Sequence, residues 1–476
     1  MLPFCGKMDL EKVIGRRNAL LFSVLCACQS PKIMHVCQWR CGLGAELPSC
    51  ENNSDKAFNF LMQHGSYKSK KQLYPNKLTK NHQLFPMNSS NVLGVSVAFV
   101  VALLVVVLMH PQVVKFAIKR NIVDNPDARK LQRNPVPVMG GVAVFFGLIS
   151  GLCVASIFVN ISALLPIFVA MSVMLCVGVA DDVANLSAHH RFVIEIAVAL
   201  MLMFWTGGSL NDFQGLWGMN EVPLWVSVPL TIISVVGIIN SLNLVDGVDG
   251  LSSGYCILAS VGFFILFYKV EDYPMLLLSA LSIGALLPFF FHNVFGHKTK
   301  MFIGDGGSLM MGVIMSAYVL EAISTGGPSE VFVDSGLGLV AFTLAVMCVP
   351  VFDTLRVMMM RIIRGVSPFS PDKTHLHHLF IELGFSHVGT TIAELSLNVV
   401  VVMVWYATYQ LGGSIDLQFY VVVGSGLLLT AGFYKLMRMS MKYDWPLHKY
   451  MQRVGAYTHL ESNKSWRAIQ RLVDSK

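Results

Sequence analysis

The sequence predicts an all-α fold, a polytopic membrane bundle of about eleven transmembrane helices, and three observations predict it. Of the 476 residues, 54% are hydrophobic and only 13% charged, with a mean hydropathy of +0.60. A soluble domain carries about 25% charged residues, so there is too little polar surface here to cover a water-facing globule. From Asn91 onward, eleven apolar runs approach the length that a helix needs to cross a bilayer. They are too long for strands and lack the alternation of barrel strands, and helices satisfy their own backbone in lipid. Lys and Arg, finally, concentrate in alternate loops.

The runs centre in order near residues 101, 149, 171, 199, 231, 259, 283, 316, 344, 400 and 426. The first ends in the basic loop KFAIKRNIVDNPDARKLQRNPVP (115–137). The ninth is followed by Arg356, Arg361, Arg364 and Lys373. The segments GGSLNDFQGLWGMNEVP and STGGPSEVFVDSG hold no Lys or Arg. The positive-inside rule therefore predicts that the basic loops and the C-terminus are cytoplasmic, facing anionic headgroups and substrates. This distribution, rather than the net charge of +7, sets the partners, and it excludes nucleic acid. Arg356, Arg361 and Arg364 read as headgroup anchors.

Residues 1–86 differ in composition, with six of the ten cysteines and twelve Lys/Arg. ALLFSVLCAC, after Arg16 and Arg17, is too short to span and resembles the core of a signal peptide. The expectation is that 1–86 is processed or lies outside the natural protein, with Met87 as its start. Residues 87–440 then form the transmembrane domain, and 441–476 a basic cytoplasmic tail. The four cysteines in apolar runs are expected to be inert packing residues.

Polar clusters end the third, fifth, seventh and ninth runs, all on the predicted cytoplasmic side. They are GVADDVANLSAHHR with Asp181, Asp182 and Arg191; NSLNLVDGVDGLSSG with Asn240, Asn243, Asp246 and Asp249; FHNVFGHKTKMFIGDGGS with Asn293, Lys300, Phe302 and Asp305; and DTLRVMMMRIIRGVSPFSPDKTHLHHLF with Asp353, His375, His377 and His378. Taken singly, an Asp-Asp pair is two solvated loop residues, a D-G pair is a turn, and HLHH an interfacial belt. Four such clusters on one face outweigh those readings, because acids at a membrane edge are costly and usually functional. Carboxylates and amide oxygens suit Mg²⁺ or Mn²⁺. With Lys130, Arg133, Arg191 and Lys300 nearby to neutralise phosphate oxygens, the set suits a pyrophosphate substrate and phosphoryl transfer to a lipid acceptor. A proton- or cation-coupled transporter using Asp181, Asp246 and Asp305 is the rival. Transporters place such groups near the midplane, often in inverted repeats, and this chain does neither.

PVMGG (137–141), GVADD (178–182), NSLNLVDGVDGLSSG, FIGDGGS (302–308) and SPFSPDKTHLHHLF (367–380) resemble, in this order, the motifs of the polyprenyl-phosphate N-acetylhexosamine-1-phosphate transferases. The histidine loop is more similar to the bacterial undecaprenyl-phosphate N-acetylglucosamine-1-phosphate transferases than to the muramoyl-pentapeptide branch. The resemblance implies transfer of the sugar phosphate from a UDP-N-acetylhexosamine to undecaprenyl phosphate, with Mg²⁺, at the cytoplasmic face of a bacterial inner membrane. N-acetylglucosamine is the expected sugar; N-acetylgalactosamine, N-acetylfucosamine and muramoyl-pentapeptide donors are the alternatives. It implies Asp305 and Asn243 as metal ligands, and Asp181 and Asp182 as the pair meeting the lipid phosphate. Asp246, Asp249, Asn293 and Phe302 fall on the nucleotide side, Asn240 among the substrate-binding residues, and His375, His377 and His378 on the diphosphate or sugar. Arg191 is implied as a phosphate-binding cation, with Arg133 as a second and Lys130 as the alternative to Arg133. A homodimer is compatible with it.

Overall fold

The computed structural model describes residues 89–124, 135–184, 186–325, 327–332, 335–368, 373–461 and 463–475. The whole 1–86 segment, with its six cysteines, and also Arg129, Lys130 and Arg133, lie outside the described residues. All eleven apolar runs are helical. In chain order the helices are α1 (Ser89–Lys119), α2 (Gly140–Ala155), α3 (Leu165–Ala184), α4 (Ala188–Thr206), α5 (Leu224–Val245), α6 (Leu251–Lys269), α7 (Tyr273–Phe295) and α8 (Gly304–Ile323). After a short α9 (Pro328–Phe332) come α10 (Leu339–Val346), α11 (Cys348–Ile363), α12 (Leu376–Glu382), α13 (His387–Gln410) and α14 (Ile415–Leu427). A π-turn at Leu428–Gly432 leads into α15 (Phe433–Lys442), followed by α16 (Pro446–Ala456) and α17 (Lys464–Asp474). A 3-10 turn (Ser162–Leu164) precedes α3, and two small antiparallel pairs complete the described elements: β1 (Val123–Asp124) with β2 (Val136–Pro137), and β3 (Asp212–Leu216) with β4 (Met219–Glu221).

The count of eleven spans is approximate. Among the described residues nine helices are long and apolar enough to cross a membrane, or ten if a bent pair is one span. The run near 149 forms the 16-residue α2, about 24 Å long and short of a hydrocarbon core of about 30 Å. The run near 344 breaks into α10 and α11 at an angle of 76°. Pro350 explains the break, because it brings no N–H to the carbonyl of Val346 four residues back. Asn398 on α13 repairs it: its Nδ2 donates to Val346 O (2.9 Å) and its Oδ1 accepts from Val349 N–H (3.0 Å). Buried in this way, broken backbone is tolerated at membrane depth. Asn398→Leu is expected to destabilise the protein by about 2 kcal/mol or more, since it strands a donor and an acceptor. Thermal unfolding in detergent checks this.

The centre of the bundle is α8, almost wholly buried, with α2, α3 and α5 packed around it. Its partners approach closely because the contacts are made by small residues. Three buried serines satisfy themselves locally: Ser279, Ser282 and Ser316 each donate to the carbonyl four residues back, at 2.8–2.9 Å. The segment read as a basic tail is largely helical, comprising the end of α15 with α16 and α17.

Candidate active site

Three of the quoted motifs meet at the N-terminus of α8. Phe302 N–H donates to Pro137 O (2.8 Å), Gly140 N–H to Phe302 O (2.9 Å) and Gly141 N–H to Ile303 O (2.8 Å), so PVMGG runs alongside FIGD. A Cβ on Gly178 would fall on the backbone of Asp305 and Gly306, and one on Gly141 would fall on Gly307. The glycines of GVADD and GDGGS are therefore needed for backbone contact rather than for flexibility. That contact lets Asp182 accept from Asp305 N–H (3.1 Å) and Gly306 N–H (3.4 Å). Asp182 thus satisfies donors that a helix start leaves unpaired, and its charge suits the positive end of the helix. Its work here is to hold Asp305.

The Asp305 side chain, 38% exposed, faces a ring of partners. Asn243 Nδ2 donates to Asp305 Oδ1 (2.8 Å) and to Ser308 Oγ (3.0 Å). Arg191 Nη1 lies 3.1 Å from Asp181 Oδ2 and 4.0 Å from Asp305 Oδ2. The guanidinium is braced from behind by Glu195, with Nε 3.5 Å from Oε1. Asn240 Nδ2 in turn donates to Glu195 Oε2 (2.5 Å). Asn240, expected to bind substrate, is buried and props Glu195. Three acids, Asp181, Glu195 and Asp305, thus surround one cation.

A second group forms on the turn joining α5 to α6. Asp246 accepts from Ser252 Oγ (2.7 Å). Desolvation, together with the nearby charges of Asp305 and Asp249, pushes its carboxyl up to about 7 despite that bond. Asp249 goes the other way. Burial alone would raise it, but a 2.9 Å contact with His387 Nδ1 and a 2.6 Å ion pair with Lys300 hold it below the usual carboxylate range. Asn293 stitches the turn to the next loop, accepting from Gly250 N–H (2.5 Å) and donating to Met301 O (2.9 Å). His377 packs its Nε2 edge against Gly247. Burial and the neighbouring His378 and His375 keep its imidazole neutral, well below the usual histidine range.

His375 is anchored from α11. Asp353 Oδ2 receives His375 Nδ1 (2.8 Å) and Leu376 N–H (3.3 Å), while its Oδ1 pairs with Arg356 Nη2 (2.6 Å). Arg356 also stacks 3.9 Å over the Tyr434 ring. It is therefore no headgroup anchor, and neither is Arg361, buried with Nη1 donating to Pro368 O (2.6 Å). The expectation fails because both side chains turn inward to satisfy local acceptors. Arg364 is exposed.

The structure therefore brings Asp181, Asp182, Arg191, Asn243 and Asp305 together, and joins them through the 243–250 turn to Asp249, Asn293, Lys300 and His377. Phe302 contributes its backbone to the PVMGG pairing. Glu195, Arg356 and His387 were not singled out as site residues. A lone acid one turn after Arg191 in an apolar helix was the available signal for Glu195. Among the described residues, no three His, Cys, Asp or Glu side chains are already grouped as an ion site. The donor set still fits Mg²⁺, which is commonly held by one or two carboxylates plus substrate phosphates rather than by a protein cage. Asp305 and the amide oxygen of Asn243 would be those ligands.

Residues 164–323 match glycosyl transferase family 4. The chain is 32% identical over 302 residues to a probable undecaprenyl-phosphate N-acetylglucosaminyl 1-phosphate transferase of Bacillus subtilis, covering 63% of this chain and 81% of that one. It is 31% identical over 293 residues to the decaprenyl-phosphate N-acetylglucosaminephosphotransferase of Mycolicibacterium smegmatis (57% and 71% covered). It is 30% identical over 281 residues to an undecaprenyl-phosphate alpha-N-acetylglucosaminyl 1-phosphate transferase of Yersinia pestis (57% and 73% covered). With the helices, the glycine contacts and the acid cluster all in the order of the motifs, the chain belongs to the polyprenyl-phosphate sugar-1-phosphate transferases of glycosyl transferase family 4.

Proposed function

We propose that this enzyme transfers N-acetylglucosamine-1-phosphate from UDP-N-acetylglucosamine to undecaprenyl phosphate at the cytoplasmic face of the membrane. The observation that carries the reading is the meeting of Asp305, Asn243, Asp181 and Arg191 at the end of buried helices, beside a turn rich in polar partners. A terminal oxygen of the lipid phosphate forms a bond to the sugar-bearing phosphorus. The bond from that phosphorus to the bridging oxygen breaks, and UMP leaves. The attacking oxygen is already anionic near neutral pH, so the barrier is chiefly repulsion between anions. Arg191, held by Glu195 and Asp181, supplies positive charge without reorganising. Asp249, Lys300 and Asn293 order the nucleotide side, and neutral His377 offers a hydrogen bond rather than a charge. Mg²⁺, when bound by Asp305 and Asn243, would neutralise the diphosphate.

The test incubates the full-length protein with undecaprenyl phosphate, Mg²⁺ and radiolabelled UDP-N-acetylglucosamine. Label should enter the organic phase, with UMP released only when lipid phosphate is present, and chelator should return both to background. Label from a different UDP-sugar alone would change the sugar but keep the reaction. UMP release independent of lipid would reject it.

A further inference from the structure

We propose that Asp474, the last residue of α17, is a positioning residue for the nucleotide side of the site, acting through the 296–300 loop; this rests on the reading above. The acid stands against local preference, because the negative end of a helix favours cations. Such conflicts in a folded chain point to a tertiary task. Here the task is visible. The Asp474 carboxylate accepts from the backbone N–H groups of His297 (3.2 Å), Lys298 (3.1 Å) and Thr299 (3.2 Å), and from Thr299 Oγ1 (3.0 Å). Consecutive N–H groups aimed at one point form an anion-binding concavity, and the Asp474 carboxylate fills it. Trp466, buried on the same helix, packs on Phe295 with ring centroids 4.5 Å apart.

Thr299 is the hub of this clasp. Its hydroxyl donates to Asp474 and accepts from His292 Nδ1 (2.9 Å), and its carbonyl accepts from His110 Nε2 (2.8 Å). The two imidazoles stack 4.2 Å apart. Held on three sides, Thr299 fixes where the next residue begins. That residue is Lys300, whose ammonium lies 2.6 Å from Asp249. The loop is bracketed by Asn293, tied to Gly250 N–H, and by Asp305. A clasp 177 residues away in sequence therefore sets the register of the segment joining the two halves of the site.

Hydrogen exchange on the full-length enzyme, with kinetics on the same samples, tests this in wild type, Asp474→Ala and Asp474→Asn. In Asp474→Ala the amides of 297–299 should exchange about tenfold faster, the loss expected for bonds to a charged group. The KM for UDP-N-acetylglucosamine and the Kd for UDP should rise about fivefold to tenfold, with kcat and the KM for undecaprenyl phosphate within about twofold. Asp474→Asn, which keeps an acceptor oxygen, should fall between. Unchanged exchange would mean that the clasp is absent. Faster exchange with unchanged donor KM and UDP affinity would make it structural only. Either result overturns the proposal alone, provided that wild type transfers label. A wild type that neither transfers label nor binds UDP overturns the functional reading, and the proposal with it.

Discussion

Asp305→Asn is expected to lower transfer by about a thousandfold or more, the scale on which a lost electrostatic group acts in a transition state. The substitution keeps an oxygen that can accept from Asn243 and leaves the backbone bonds to Asp182 untouched. Folding and membrane insertion should therefore match wild type, which size-exclusion chromatography in detergent would show. What is removed is the negative charge facing Arg191 and Asn243, and with it the proposed magnesium ligand. Measurable magnesium-dependent transfer at the wild-type rate would refute the assignment.

The largest stability effect should come from Asp353→Ala. One carboxylate holds Arg356, His375 and the Leu376 N–H, and the Asp353 and Arg356 side chains are only 3% and 8% exposed. Removing one partner leaves a buried guanidinium without its counter-charge, a loss of about 3–5 kcal/mol. Thermal unfolding in detergent measures the loss. Asp353→Asn keeps acceptor oxygen for His375 and should recover part of the stability. An alanine variant as stable as wild type would show that Arg356 finds sufficient compensation in Thr374 O and the Tyr434 ring, its other neighbours.

The two halves of the site were unequally legible. Asp181, Asp182, Asn243 and Asp305 announced themselves because a polar residue at the end of an apolar run is expensive in lipid and stands out in sequence. Their division of labour did not. Asp182 and Asp181 are neighbours, yet one accepts from the backbone of α8 and the other faces Arg191. Only the close approach of Gly178 to Gly306 decides which carboxylate reaches which partner. Asn240 and Asn243 lie on the same helix end but serve Glu195 and Asp305 respectively, a split set by the helix rotation against two different neighbours. Arg356 and Arg361 were misread as anchors, because a basic cluster after an apolar run looks the same whether its side chains turn to lipid or to buried carbonyls.

The sequence by itself determined the membrane class, the helical content and the order of the motifs. Apolar length, charge sparsity and glycine placement are local properties, and a helix needs no distant partner to satisfy its backbone. The tertiary structure alone decided that Asn398 pairs with the backbone groups at the break before Pro350, and that Thr299 becomes a hub for His110, His292 and Asp474. Apart from His292 and Thr299, those pairings join residues 49 to 189 positions apart. Each hydrogen bond depends on a few ångströms of placement, and packing of many side chains at once is what sets that distance.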